Sequence, residues 1–141
     1  QLSTTNASDD LISKVITPSA TSSSVLVMVT LFLGTNSNPN GGIKLLRDAT
    51  ALAETSSVHG SATGTFWSSD EFGGGVTEAP GMNYTLLPFS WTYLDTTIST
   101  TSATTYKCAT DSYSILYYNR VQNDATGGYG RSTITLMEIL S

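Results

Sequence analysis

The sequence predicts an all-β protein, an antiparallel β-sandwich or jelly roll. Ser and Thr dominate its polar residues, and only 12% of the chain is charged. The long charged side chains that usually build helix surfaces are therefore the scarce ones, whereas Thr, Val, Ile and Tyr suit strands. Apolar residues alternate in short runs with the two-residue period of a strand. Seven or eight such runs are separated by Gly, Pro, Asn and Ser clusters, the spacing of a sandwich or jelly roll.

The elements follow in order. Residues 1–10 are polar and read as a flexible arm or linker, which leaves 11–141 as one domain. A chain of 141 residues can bury a sizeable core without disulfide staples. The opening residue is Gln1 instead of Met, which points to a processed terminus or to a piece of something longer. Residues 11–16 form a short strand closed by Thr17-Pro18. After the Thr21-Ser22-Ser23-Ser24 turn, 25–33 is the strongest element: Val25, Val27, Val29, Leu31 and Leu33 share one face, and Leu26, Met28, Thr30 and Phe32 the other. Both faces are largely apolar, so one faces a core and the other needs a partner. A dense turn cluster, 34–42, precedes a strand at 42–48, and 49–54 is a further strand or a short helical turn. Residues 84–95 read as a strand interrupted at Pro88, which suggests an edge or a bulge. Strands at 104–110, 114–122 and 133–140 complete the chain.

Between 55 and 83 the periodicity fails. This long loop region is rich in glycine, yet contains Phe66, Trp67 and Phe72, with its best strand candidate at 63–68. Asp70 and Glu71 lie between Trp67 and Phe72. Carboxylates beside aromatic rings on a glycine-rich loop suit sugar hydroxyls, and their oxygens suit calcium, although calcium needs six or more of them. Phe66, Trp67, Asp70, Glu71 and Phe72 are thus the candidate binding loop. The alternatives are a solvated acidic tip and rings that plug one end of the sandwich.

Composition excludes several functions. The net charge is −5 with no Lys/Arg cluster, which argues against nucleic acid as a partner. The apolar run at 25–33 is too short to cross a bilayer, so no membrane insertion is expected. One Cys, Cys108, and one His, His59, cannot assemble a transition-metal site in one chain, and no cofactor is expected. Cys108 reads as a small buried hydrophobe. No Gly-x-Ser-x-Gly elbow is present, and no catalytic residue is assigned. Asn6 and Asn83 match the glycosylation sequon. Glu138 is unusual, because it shares a strand face with Ile134, Leu136 and Leu140; it needs a partner such as Arg47, Arg120 or Lys14, or a bulge that turns it outward.

An ordered set of segments resembles the C1q/TNF-like jelly-roll domains of bacteriophage and other viral structural proteins. It comprises Ile16-Thr17-Pro18, Ser22 through Val27, Leu45-Leu46-Arg47-Asp48, Tyr93-Leu94-Asp95, Thr104 through Lys107, Asn119-Arg120 and Ser132 through Ile139. The resemblance spans the chain from about Leu11 onward, except for 55–83. It implies a ten-stranded jelly roll, a tight homotrimer, and no shared catalytic residues. Such heads decorate capsids or tip tail fibres and spikes, so the implied place is the virion surface, and the implied partners are further copies and capsid or tail proteins.

The residues give the trimer independent support. The two-faced strand at 25–33, and Met137 and Ile139 opposite the inner face of 133–140, would leave apolar area wet in a monomer. Met28, Tyr113, Tyr117, Tyr118, Met137 and Ile139 are the candidate trimer interface. The expected function is structural, through assembly and surface binding. A carbohydrate-binding module recognising a host-surface glycan is the alternative, and a hydrolase the least supported class.

Overall fold

A computed structural model describes residues 3–4, 10–35, 42–52, 67–68, 86–110, 116–121 and 129–140. Among them every regular element is a strand: β1 (Ser3–Thr4), β2 (Asp10–Ile16), β3 (Ser24–Thr35), β4 (Gly42–Arg47), β5 (Thr50–Leu52), β6 (Trp67–Ser68), β7 (Leu87–Asp95), β8 (Thr104–Thr110), β9 (Leu116–Tyr118) and β10 (Thr133–Ile139). They form two antiparallel sheets of five strands. The first runs β1-β9-β3-β10, with β7 on the other edge of β3; the second runs β2-β8-β4-β5, with β6 also paired to β4.

β3 organises the first sheet because its period-two pattern is so strong. Val25, Val27, Val29, Leu31 and Leu33 are all buried, and they meet Ile43, Leu45, Tyr106 and Cys108 of the second sheet in one core. Fully burying a Val or Leu contributes about 1.5–3 kcal/mol, so this face alone fixes the register. A slip of one residue would exchange the buried set for the outward one. The residues 49–54, open to two readings in the sequence, include a strand: β5 folds back on β4 around Asp48-Ala49, with Arg47 opposite Thr50. Asp48 takes φ 53 there, a left-handed conformation that Asp tolerates better than most residues. Its amide donates to Thr105 O (2.7 Å) and its Oδ1 accepts from Thr105 N (2.9 Å). The strand expected within 63–68 is present as β6, in which Trp67 stands opposite Ile43. Pro88 is exposed in β7, which pairs only with β3 among the described residues, as a proline on an edge strand should. Within the N-terminal arm, Ser3–Thr4 pairs with β9.

One edge of β3 is shared by two strands in succession. β10 accompanies it from Ser24 to Thr30 and β9 from Leu33 to Thr35. Phe32, at the handover, keeps both backbone groups bonded: its N–H donates to Ser132 Oγ (2.9 Å) and its carbonyl accepts from Asn119 N (2.8 Å). Asn119, at φ 60, turns the chain after β9. Its Oδ1 accepts from both Ser132 N (2.9 Å) and Ser132 Oγ (2.6 Å). The backbone of Gly130 lies directly against Phe32, so a Cβ at position 130 would collide with Phe32 Cβ and Cγ. Gly130→Ala is therefore expected to destabilise the fold by about 1–3 kcal/mol, the usual cost of overpacking. Denaturant titration checks this.

Candidate functional site

The outward face of the first sheet is built from the even-numbered residues of β3 and their ladder partners. Met137 stands opposite Leu26, which stands opposite Leu94, and Thr135 opposite Met28, which stands opposite Thr92. Ile139 adjoins Ser24 at one end, and Thr133, Thr30 and Ser90 make a polar row at the other. In that row Thr30 Oγ1 and Ser90 Oγ share a hydrogen bond of 2.9 Å. Met137 and Leu94 are each 48% exposed and Ile139 40%, while Leu26 and Met28 between them are half-buried. The result is an apolar stripe across three strands with a hydroxyl-rich border.

Three of the residues expected at a subunit interface, Met28, Met137 and Ile139, meet on this stripe. Tyr117 and Tyr118 are placed differently. Tyr118 packs against the core; Tyr117 is 8% exposed and has the Arg120 guanidinium 4.9 Å from its ring centroid. Both rings are thus largely spent on the chain's own fold. Tyr113 lies outside the described residues. Leu94 was not singled out in the sequence, where it is one apolar residue among Ser90, Thr92 and Thr96; only pairing with Leu26 brings it onto the stripe.

The inward face ends in a row of charge that composition did not reveal. Glu138, Val25 and Asp95 stand side by side on β10, β3 and β7. Asp95 is completely buried. Its Oδ2 accepts from Arg47 Nη1 (2.7 Å) and Tyr106 Oη (2.7 Å), and its Oδ1 from Thr97 N (2.9 Å) and Thr97 Oγ1 (2.8 Å). Arg47 and Tyr106 are cross-strand neighbours in the second sheet, so this carboxylate clasps one sheet to the other. Burial alone would raise its pKa, but the hydrogen bonds from Tyr106, Thr97 and Arg47 together hold it below the ordinary carboxylate range. Burial, followed by the hydrogen bond to Asp95, pushes the Tyr106 phenol well above its ordinary value. The sequence carried a signal for Asp95: it continues the alternation Phe89, Trp91, Tyr93 onto an inward position.

Glu138 does face inward, but none of the expected cations serves it. Its Oε1 accepts from Ser19 N (2.7 Å), Ser19 Oγ (2.8 Å) and Ser23 Oγ (2.6 Å). Arg47 is engaged by Asp95, Arg120 by Tyr117, and Lys14 is exposed on β2. No bulge turns Glu138 outward, because β10 stays in register with β3 through that position. Standing at the rim, it needs only hydroxyl and amide donors, and those bonds, led by Ser23, lower its pKa. Both carboxylates are thus surrounded by donors of the chain's own fold.

Of the candidate binding loop, Phe66, Asp70, Glu71 and Phe72 lie outside the described residues, as do His59, Asn6 and Asn83. Trp67 is placed only by its backbone in β6. Cys108 is fully buried in the core, and burial pushes its thiol up to about 12.

Three outcomes follow from this geometry. Asp95→Asn should cost about 3–5 kcal/mol, because it leaves Arg47 facing a neutral amide in a buried site. A carboxylate whose folded pKa is depressed stabilises the fold above its unfolded pKa of about 4. That contribution disappears as pH falls through the lower folded value. Wild-type stability should therefore drop as pH falls below about 4 more steeply than that of Asp95→Asn, as urea titrations at successively lower pH can measure. Cys108 should react with a disulfide reagent only after unfolding, so the labelling rate in native buffer should match global opening. Comparison of the chain with protein-family models, with curated proteins and with solved structures finds no match.

Proposed function

We propose that this chain is a non-catalytic assembly domain: a trimeric head of a viral structural protein, serving as a capsid decoration protein or as the tip of a fibre or spike. The observation that carries the reading is the apolar stripe Met137–Leu26–Leu94, with Met28 and Ile139 beside it, on the face of the first sheet turned away from the core. A half-exposed Leu or Met buried against another subunit contributes on the order of 1 kcal/mol, and three copies bury the stripe three times over. The hydroxyl-rich border suits an interface rim, where polar groups stay close to water.

The strand order supports the jelly-roll part of the reading. In β10-β3-β7 and β2-β8-β4-β5, early and late strands interleave across the two sheets, as they do when Greek-key connections close a jelly roll. The identification with virion proteins rests on the ordered resemblance in the sequence. Partners in this reading are two further copies and the neighbouring capsid or tail proteins.

Light scattering at micromolar concentration should give a mass about three times 14.9 kDa. Met28→Glu and Leu94→Glu, which place a charge in the stripe, should lower the mass to that of one chain. A wild-type mass of one chain overturns the trimer. Immunogold imaging of particles carrying the protein should label their outer surface, and unlabelled particles overturn the virion assignment.

A further inference from the structure

From Tyr129 to Ile139, exposed and partly buried residues alternate without a break. Within β10 the exposed set is the outward one, because Thr133, Thr135 and Met137 stand opposite Thr30, Met28 and Leu26. Ahead of the strand, hydrogen bonds keep the same alternation. Gly130 N donates to Asn119 O (3.1 Å), and Ser132 donates to Asn119 Oδ1 through both its amide and its hydroxyl. These bonds fasten Gly130 and Ser132 to the sheet and leave Tyr129 and Arg131 toward solvent. Tyr129, Arg131, Thr133 and Thr135 therefore continue the row of Met137 and Ile139, each about 7 Å from the next in an extended chain.

The row changes character along its length. Ile139 and Met137 belong to the apolar stripe, Thr135 and Thr133 carry hydroxyls, and Arg131 and Tyr129 add a cation and a ring. Tyr129 is 73% exposed, the most of any large apolar side chain among the described residues. It is nonetheless well anchored: its backbone pairs with Arg120, whose guanidinium lies over Tyr117, and the neighbouring Gly130 lies against Phe32. A ring on a fastened backbone offers rigid contact area at little entropic cost.

Arg131 is exposed and, unlike Arg47 and Lys107, enters no ion pair among the described residues. The described carboxylates stand elsewhere. Asp10 and Asp48 belong to the second sheet and its turn, and Asp95 and Glu138 to the inward face of the first. The positive charge of Arg131 is thus locally unopposed, although the whole chain carries −5.

We propose that Tyr129, Arg131, Thr133 and Thr135 form a binding track for an oligosaccharide that contains a carboxylated sugar. The apolar C–H face of one sugar ring lies on the Tyr129 ring. The Arg131 guanidinium takes the carboxylate through two parallel N–H···O bonds. The Thr133 and Thr135 hydroxyls, with Ser90 and Thr30 beside Thr133, exchange hydrogen bonds with ring hydroxyls, since each can both donate and accept. A row this rich in hydroxyls suits a sugar better than an apolar peptide. The net negative charge disfavours a polyanion, so one local cation selects one carboxylate. The track lies within a single chain and does not rest on the trimer.

The probes are sialyllactose and a trisaccharide of galacturonic acid, with lactose as the neutral control, followed through the amide NMR shifts of the full chain. At least one acidic probe should move the amides of residues 129–135, with a dissociation constant on the order of 1 mM, and lactose should bind about fivefold more weakly or worse. Tyr129→Ala and Arg131→Gln should each weaken binding by about tenfold. Their melting temperatures should stay at the wild-type value, because both side chains are exposed. Arg131→Lys, which keeps the charge without the fork, should recover part of the loss. Equal binding of lactose overturns carboxylate recognition. No shift with either acidic probe, shifts confined to other amides, or binding undiminished in both variants overturns the site. The light-scattering mass is read on the same samples, so a failed trimer is told apart from failed glycan binding.

Discussion

The backbone of β3 is the shared constraint on which the first sheet is built. One edge is paired with β7 from Val25 to Leu33; the other is divided between β10 and β9. Its inner side chains join the core of both sheets. Because those side chains are buried at every second position, β3 cannot slide, and the strands registered on it inherit its frame. The divided edge demands a device at Phe32, where neither β10 nor β9 pairs with the strand. Ser132 and Asn119 supply the missing donor and acceptor, and Gly130 leaves room for the ring.

The same frame places two carboxylates either side of Val25, and burial separates their roles. Asp95 is removed from water, and a buried charge without a counter-ion is expensive, so it is matched to Arg47 and to the hydroxyls of Tyr106 and Thr97. Glu138 stands at the rim, where water shares the solvation and two serines are enough. Both therefore belong to the closure of the sandwich at this end. Among the described residues, the outward stripe of the first sheet is the apolar face left toward solvent, with Met137 and Leu94 half-exposed.

Much of this architecture was legible in the residues. Alternation gave the strands at β2, β3, β8 and β10 nearly to the residue, because a half-buried strand writes its period directly into the sequence. Pro88, read as an edge or a bulge, lies in a strand that pairs with β3 alone among the described residues, and the described end of the 63–68 candidate, Trp67–Ser68, is β6. Glu138 was visible as a charge on an apolar face, but its partners were not: Ser19 and Ser23 precede it by more than a hundred residues, and abundant serines give no reason to choose those two. Asp95 followed the same inward alternation and was passed over, since the aromatic run before it drew attention to the rings.

By itself the sequence determined that the chain is all-β, where most strands lie, and which side chains share a face, since these follow from local period and turn chemistry. Tertiary structure alone decided which strands are neighbours, because pairing joins backbone segments far apart in the chain through groups that every residue carries. It therefore decided that Leu94 reaches the stripe while Tyr117 and Tyr118 are largely covered, and that Arg47 turns to Asp95 instead of Glu138. A face is set by the residues of one strand, whereas a site is set by the register between several.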